Sequence, residues 1–212
     1  NTTNVLRELQ SLSINLTVIQ HTVNRGQSAA LLSGVKQSKS AWIVTLDGDG
    51  QNDPLDILKL WDRRHNKLHQ IFPIKMIAGQ RIDRKDSFLR KKSSVIANKI
   101  RRFLLKDDTF DTGCGLKLFD REIFLKIPHF NHFHRFLPAL FLSTGAKVIS
   151  VDVNHRPRSF GKSHYGIHNR LWVGIVDLLG VYWLIRRSAP WELDTTVDIH
   201  KDHRDEDSID GH

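Results

Sequence analysis

An α/β sandwich on a mostly parallel sheet is the fold this sequence predicts, and three observations predict it. Short runs of apolar and β-branched residues alternate with segments of helical periodicity along most of the 212 residues. One run, Trp42-Ile43-Val44-Thr45-Leu46, is apolar at nearly every position, as a strand covered on both faces must be. It ends in an acidic, glycine-rich turn, and open α/β sheets place their sites at the carboxyl ends of strands.

The elements follow in order. Val5, Leu6, Leu9 and Leu12 recur at helical spacing, and Leu16, Val18 and Ile19 predict a short strand. Asn24-Arg25-Gly26 is a turn, and Gln27 to Gln37 predicts a second helix through Ala29, Ala30, Leu31, Leu32 and Val35. After the strand from Trp42 to Leu46, Asp53 can cap and Pro54 can open a third helix reaching about Leu68. Lys75 to Ala78 predicts a strand. Ser87 to Leu105 predicts a basic helix with an apolar stripe of Val95, Ile96, Ile100, Phe103 and Leu104. Gly113-Cys114-Gly115 is a tight loop, Leu116 to Phe119 a strand and Arg121 to Ile127 a short helix. Arg135 to Ser143 predicts a further helix, Gly145 a turn and Val148 to Val153 a strand. Arg156 to Gly166 is a polar, basic loop.

Leu171 to Ile185 carries one charge, Asp177, between Arg170 and the pair Arg186 and Arg187. Fifteen residues make a helix of about 22 Å, short of the roughly 30 Å hydrocarbon core. The segment therefore predicts a helix lying on a membrane surface, with core packing as the alternative. Residues 1–166 are expected to form the main domain, 167–188 the amphipathic surface helix and 189–212 an acidic disordered tail.

Composition narrows the function. A single cysteine, Cys114, excludes an intramolecular disulfide and a cysteine-based zinc site. The net charge is +9, but residues 191–212 hold eight acids against Lys201 and Arg204, which leaves +15 on the rest. Ten of those cations lie between Arg81 and Lys106, beside only two acids. Such a block suits an anionic membrane, a phosphate-bearing substrate or nucleic acid. A nucleic-acid module would need aromatic stacking residues among the cations, and this segment offers only Phe88 and Phe103. Six histidines (His129, His132, His134, His155, His164, His168) lie in forty residues without the spacing of a transition-metal motif.

Asp47-Gly48-Asp49-Gly50-Gln51-Asn52-Asp53-Pro54 carries the strongest chemical signal. Hard cations take oxygen ligands, and Mg²⁺ typically uses one or two carboxylates plus substrate phosphates. Asp47, Asp49 and Gln51 alternate, so on extended chain they can point the same way. An EF-hand fails here, because Asn52 and Leu58 stand where it needs glycine and glutamate.

Taken together, Asn24-Arg25-Gly26-Gln27, the turn after Leu46, Gly79-Gln80-Arg81, Asp111 to Phe119, His134 to Leu140 and Arg156 to Gly166 resemble the family 2 glycosyltransferases. Specifically, they resemble the branch of dolichol-phosphate mannose synthase and the bacterial polyprenyl-phosphate glycosyltransferases, over about Asn24 to Arg187. The resemblance implies a GT-A fold, a nucleotide-sugar donor, Mg²⁺ or Mn²⁺, and a polyprenyl phosphate acceptor at the cytoplasmic face of a bacterial inner membrane. It also implies that the family's first two strands are not among these residues. Asp47, Asp49 and Gln51 match the metal and diphosphate motif, with Asp49 the direct ligand. Arg81, Arg158, Lys162 and Ser163 match donor and phosphate positions. Lys117, His134 and Arg135 match acceptor positions, Lys117 standing where many relatives carry arginine. Asp49 and Asp111 are the candidate catalytic residues, Asp111 to position the acceptor or serve as base. A non-catalytic, membrane-associated remnant of such an enzyme is the alternative; a homo-oligomer is compatible with either.

Overall fold

The computed structural model describes residues 2–12, 15–64, 73–82, 99–156 and 167–187. Along them run α1 (Thr2–Leu12), α2 (Gly26–Gln37), β1 (Trp42–Thr45), α3 (Asp56–Arg63), β2 (Ile74–Arg81) and a helical segment, α4, over residues 99–105. There follow β3 (Lys117–Asp120), α5 (Arg121–Lys126), a 3-10 turn (Phe133–Arg135), α6 (Leu137–Ser143), β4 (Lys147–Val153) and α7 (Ile167–Arg187). The first part of the expected basic helix and the 189–212 tail lie outside the described residues.

The four strands make one sheet in the order β1-β3-β2-β4. β3 is antiparallel to both neighbours, with Phe119 opposite Ile43 and Met76, while β2 and β4 are parallel with Ala78 opposite Ser150. The sheet is thus mixed, which corrects the expectation of a mostly parallel one. Lys117, the first residue of β3, pairs with Ala78 near the end of β2. The chain re-enters the sheet at the end it left, so β3 must run back.

Alternation along the strands splits the core in two. Met76 and Phe119 face one side with Val35 of α2, Phe124 of α5, Phe141 of α6 and Val181 of α7. Ile77 and Leu118 face the other with Leu60 of α3, Leu116 and Val153. Phe119 stacks on Phe124 at 5.0 Å and meets Phe141 edge-on at 5.8 Å, contacts worth roughly 0.5–1.5 kcal/mol each beyond their buried area. Asp120 turns β3 directly into α5: one carboxylate oxygen caps Ile123 N at 3.1 Å, and the other accepts from Lys75 Nζ at 2.7 Å.

Two further expectations are corrected. Leu16 to Ile19 form no strand, because no described segment offers them a ladder partner. The single helix expected from Arg135 breaks at Phe136 into the 3-10 turn and α6, whose first turn holds Pro138.

Candidate functional site

β1, β2 and β4 end, and β3 begins, at the same rim of the sheet. The rim collects side chains that are far apart in sequence. Asp47, two residues beyond β1, receives Gln27 Nε2 on Oδ1 at 3.2 Å, while its backbone N donates to Asn52 Oδ1 at 3.0 Å. Its carboxyl group fills the space beside Gly115: a Cβ there would lie 2.3 Å from Asp47 Cγ. Glycine at 115 is thus a steric requirement of the site. Burial raises the Asp47 pKa, Lys117 opposes the rise and Asp49 adds to it. Asp49 lies close by, and its Oδ1 accepts from Gln51 N at 3.2 Å.

Gln51 turns towards the end of β4. Its Nε2 lies 3.3 Å from His155 Nε2 and 3.5 Å from the Arg156 carbonyl oxygen, so only its amide oxygen can serve a cation. Arg156 N donates to Gln51 O at 2.9 Å, and Arg156 Nη2 pairs with Asp53 Oδ2 at 2.8 Å. Buried Asp56 accepts from Asn154 N at 2.6 Å. The acidic turn is strapped along residues 154–156, a feature sequence reasoning missed because its polar partners lie about a hundred residues away.

Across the rim, Arg81 grips Asp111. Arg81 Nε donates to Asp111 Oδ2 at 2.6 Å, Nη2 to Oδ1 at 2.8 Å, and the Arg81 backbone N also reaches Oδ2 at 3.3 Å. This bidentate geometry is the strongest pairing a carboxylate makes with a cation. Gly79 allows the approach behind it, for a Cβ there would lie 2.9 Å from the Leu116 carbonyl oxygen. Lys117 is buried; its ammonium donates inward to the Cys114 carbonyl. Burial lowers the Lys117 pKa, and the nearby Asp47 and Asp111 oppose the shift. Lys117 thus lies beneath the rim with its side-chain nitrogen turned inward.

His134 sits in the 3-10 turn, with Nδ1 2.8 Å from Ser28 Oγ of α2, and Arg135 lies half-buried beside it. Burial, helped by Arg135 and Lys117, lowers the His134 pKa from 6.5 to about 4. The native state therefore binds fewer protons here than the unfolded chain between those values. Stability is full above pH 6.5 and falls as pH drops towards about 4, by roughly 3 kcal/mol at most. His134→Gln is expected to flatten the decline of Tm across that window, measured by thermal melts at stepped pH. Arg158, Lys162 and Ser163 lie outside the described residues.

The donor set tests whether a divalent cation fits. Among the described residues, no group of three or more His, Cys, Asp or Glu side chains is arranged to hold a metal. Two neighbouring carboxylates, Asp47 and Asp49, suit a hard cation that takes its remaining ligands from phosphate and water.

The sequence model described as Glycosyl transferase family 2 matches residues 1–127. The chain belongs to glycosyl transferase family 2. It is 32% identical over 177 residues to a dodecaprenyl-phosphate galacturonate synthase of Rhizobium johnstonii, covering 82% of this chain and 51% of that protein. It is 31% identical over 142 residues to an undecaprenyl-phosphate 4-deoxy-4-formamido-L-arabinose transferase of Pectobacterium carotovorum, covering 67% and 42%. The family 2 chain thus spans about half the length of the curated relatives it matches. Among solved structures it resembles glucosyl-3-phosphoglycerate synthase of Mycobacterium tuberculosis, with a TM-score of 0.54 and 15% identity, over 86% of this chain and 65% of that one. The same enzyme's complex with Mn²⁺, UDP-glucose and phosphoglyceric acid has a TM-score of 0.50 and 12% identity, over 85% and 62%. The likeness shows a GT-A-like fold, as the sequence motifs imply.

Proposed function

We propose that this family 2 chain transfers a sugar from a nucleotide-sugar donor to a polyprenyl phosphate, with inversion at the anomeric carbon. The observation that carries the reading is the meeting of Asp47, Asp49, the Arg81–Asp111 pair, Lys117 and His134 at one rim of the sheet. The names of the curated relatives, both polyprenyl-phosphate sugar transferases, support the acceptor class.

The chemistry asks little of a base. A phosphate monoester has its second pKa near 6, so the acceptor is already anionic and needs orientation more than deprotonation. Its oxygen attacks the anomeric carbon, the bond to the diphosphate breaks, and the nucleoside diphosphate leaves with the electron pair. Mg²⁺ or Mn²⁺ held by Asp47 and Asp49, with the Gln51 amide oxygen, would supply charge stabilisation for that leaving group. Arg81 is aimed by Asp111 at the same diphosphate, to which the motif they match also assigns Arg158, Lys162 and Ser163. Asp111 thus acts by positioning Arg81 rather than as a base. Lys117, neutral His134 and Arg135 are assigned to the acceptor side.

α7 supplies the membrane contact. Trp172, Val176, Leu179 and Trp183 are exposed along one side of it, while Val181 on the other is buried in the core. No helix among the described residues is long and apolar enough to cross a membrane. The stripe therefore suits a helix lying in the bilayer surface, with Arg186 and Arg187 facing anionic headgroups at the cytoplasmic face. Exchanging Trp172 and Trp183 for serine is expected to lower binding to phosphatidylglycerol vesicles by about 10-fold or more, read by co-sedimentation.

The function is tested by offering radiolabelled UDP- and GDP-sugars with undecaprenyl or dolichyl phosphate in detergent. EDTA-sensitive label in the lipid phase is the expected result. Transfer only to a water-soluble acceptor such as phosphoglycerate would contradict the lipid assignment, and no transfer from any donor would favour a remnant.

A further inference from the structure

We infer that Arg101 is a positioning residue for the Arg81–Asp111 pair, acting through Asp107 and Thr109. The inference deepens the functional reading above and rests on it for the role of that pair.

Arg101 lies in α4, in the basic stretch that reads as suited to an anionic membrane or a phosphate-bearing substrate, yet it is only 6% exposed. Its Nη1 donates to a carboxylate oxygen of Asp107, which is 0% exposed, and its Nη2 donates to the Thr109 carbonyl. The other Asp107 oxygen accepts from Thr109 N at 2.8 Å. Lys106, at φ 51, ends α4 in a left-handed turn, so the chain doubles back under the guanidinium. One planar fork thus fixes residues 107 and 109. Only Phe110 separates this clamp from Asp111, and its ring lies against Arg102 at 4.0 Å.

Buried ion pairs add little stability over apolar packing of equal volume, so stability is a poor account of this one. What a guanidinium supplies, and a single ammonium cannot, is two acceptors held at a fixed spacing in one plane. Here that spacing sets where Asp111 presents its two oxygens, and hence where Arg81 points. It also joins the basic segment on α4 mechanically to the site.

The experiment compares Arg101→Lys and the double variant Arg101→Met/Asp107→Leu with the unaltered chain. The double variant leaves no lone buried charge and should keep its fold. In ¹⁵N-arginine-labelled protein, the Arg81 Nε–H signal, assigned with Arg81→Lys, should exchange with water about 10-fold faster or more in both variants. The kcat for transfer should fall about 10-fold or more with the acceptor KM within about 3-fold, and this penalty should vanish in an Asp111→Asn background. An unchanged Arg81 signal overturns the inference, as does a kcat penalty that simply adds to that of Asp111→Asn. If the unaltered chain transfers no sugar, the functional reading fails by itself, and the Arg81 signal still decides the positioning role. Should the double variant not fold, Arg101→Lys decides on the same signal.

Discussion

Gly115→Ala is expected to lower sugar transfer by about 100-fold or more, on the order of what is lost when a principal charge-stabilising group leaves an active site. The added Cβ would stand 2.3 Å from Asp47 Cγ and Oδ2 and 2.6 Å from Oδ1. Asp47 has no long stem on which to swing aside. Its backbone is held by Asn52 and its carboxylate by Gln27. The methyl group must therefore push the carboxylate from the rim or open the β1–β3 edge, where Thr45 Oγ1 donates to the Gly115 carbonyl at 2.7 Å. Gly113→Ala is the control two residues away: its Cβ would meet Arg81 Nη2 at 3.4 Å, an ordinary contact. Transfer there should stay within about 3-fold of the unaltered chain. Initial rates on both variants, with circular dichroism to verify the fold, check the contrast.

Asp111→Asn carries the second large effect. The Arg81 and Asp111 side chains are 15% and 7% exposed, so the substitution takes the bidentate carboxylate from a nearly buried guanidinium. Breaking a buried pair from one side costs about 3–5 kcal/mol, so Tm should fall. Transfer should fall about 100-fold as Arg81 loses its aim. Stability and aim separate in the double variant Arg81→Gln/Asp111→Asn, which leaves no lone charge. It should recover most of the Tm while transfer stays low, whereas recovered transfer would show the pair to be structural only.

Much of this site was legible as residues and little of it as geometry. The apolar run Trp42 to Leu46 announced a strand, and its position before two spaced acids announced a rim site; burial on both faces is corrected, for β1 stands at the edge of the described sheet with each residue only partly buried and Leu46 exposed. Arg81 and Asp111 were each singled out by motif, but thirty residues of chain separate them, and only the antiparallel return of β3 joins them. That return was not legible: Leu116 to Phe119 is apolar in either direction, and strand direction depends on where the chain re-enters. Gly115 read as a loop glycine, although its need arises from Asp47, distant in sequence. Arg101 read as one more surface cation, since nothing in a run of basic residues marks the one that folds inward onto Asp107. Leu16 to Ile19 had the pattern of a strand and, among the described residues, no partner to make it one.

The claim at the centre of the account is that the rim around Asp47 and Asp49 binds a metal-bound nucleoside diphosphate. Calorimetric titration of this chain with UDP and with GDP, each with and without Mn²⁺, tests it most directly when Asp49→Ala is titrated in parallel. Binding of one nucleotide that requires Mn²⁺ and disappears in Asp49→Ala is the expected result. Binding that ignores both the metal and the substitution, or a folded chain that binds neither nucleotide, would contradict it.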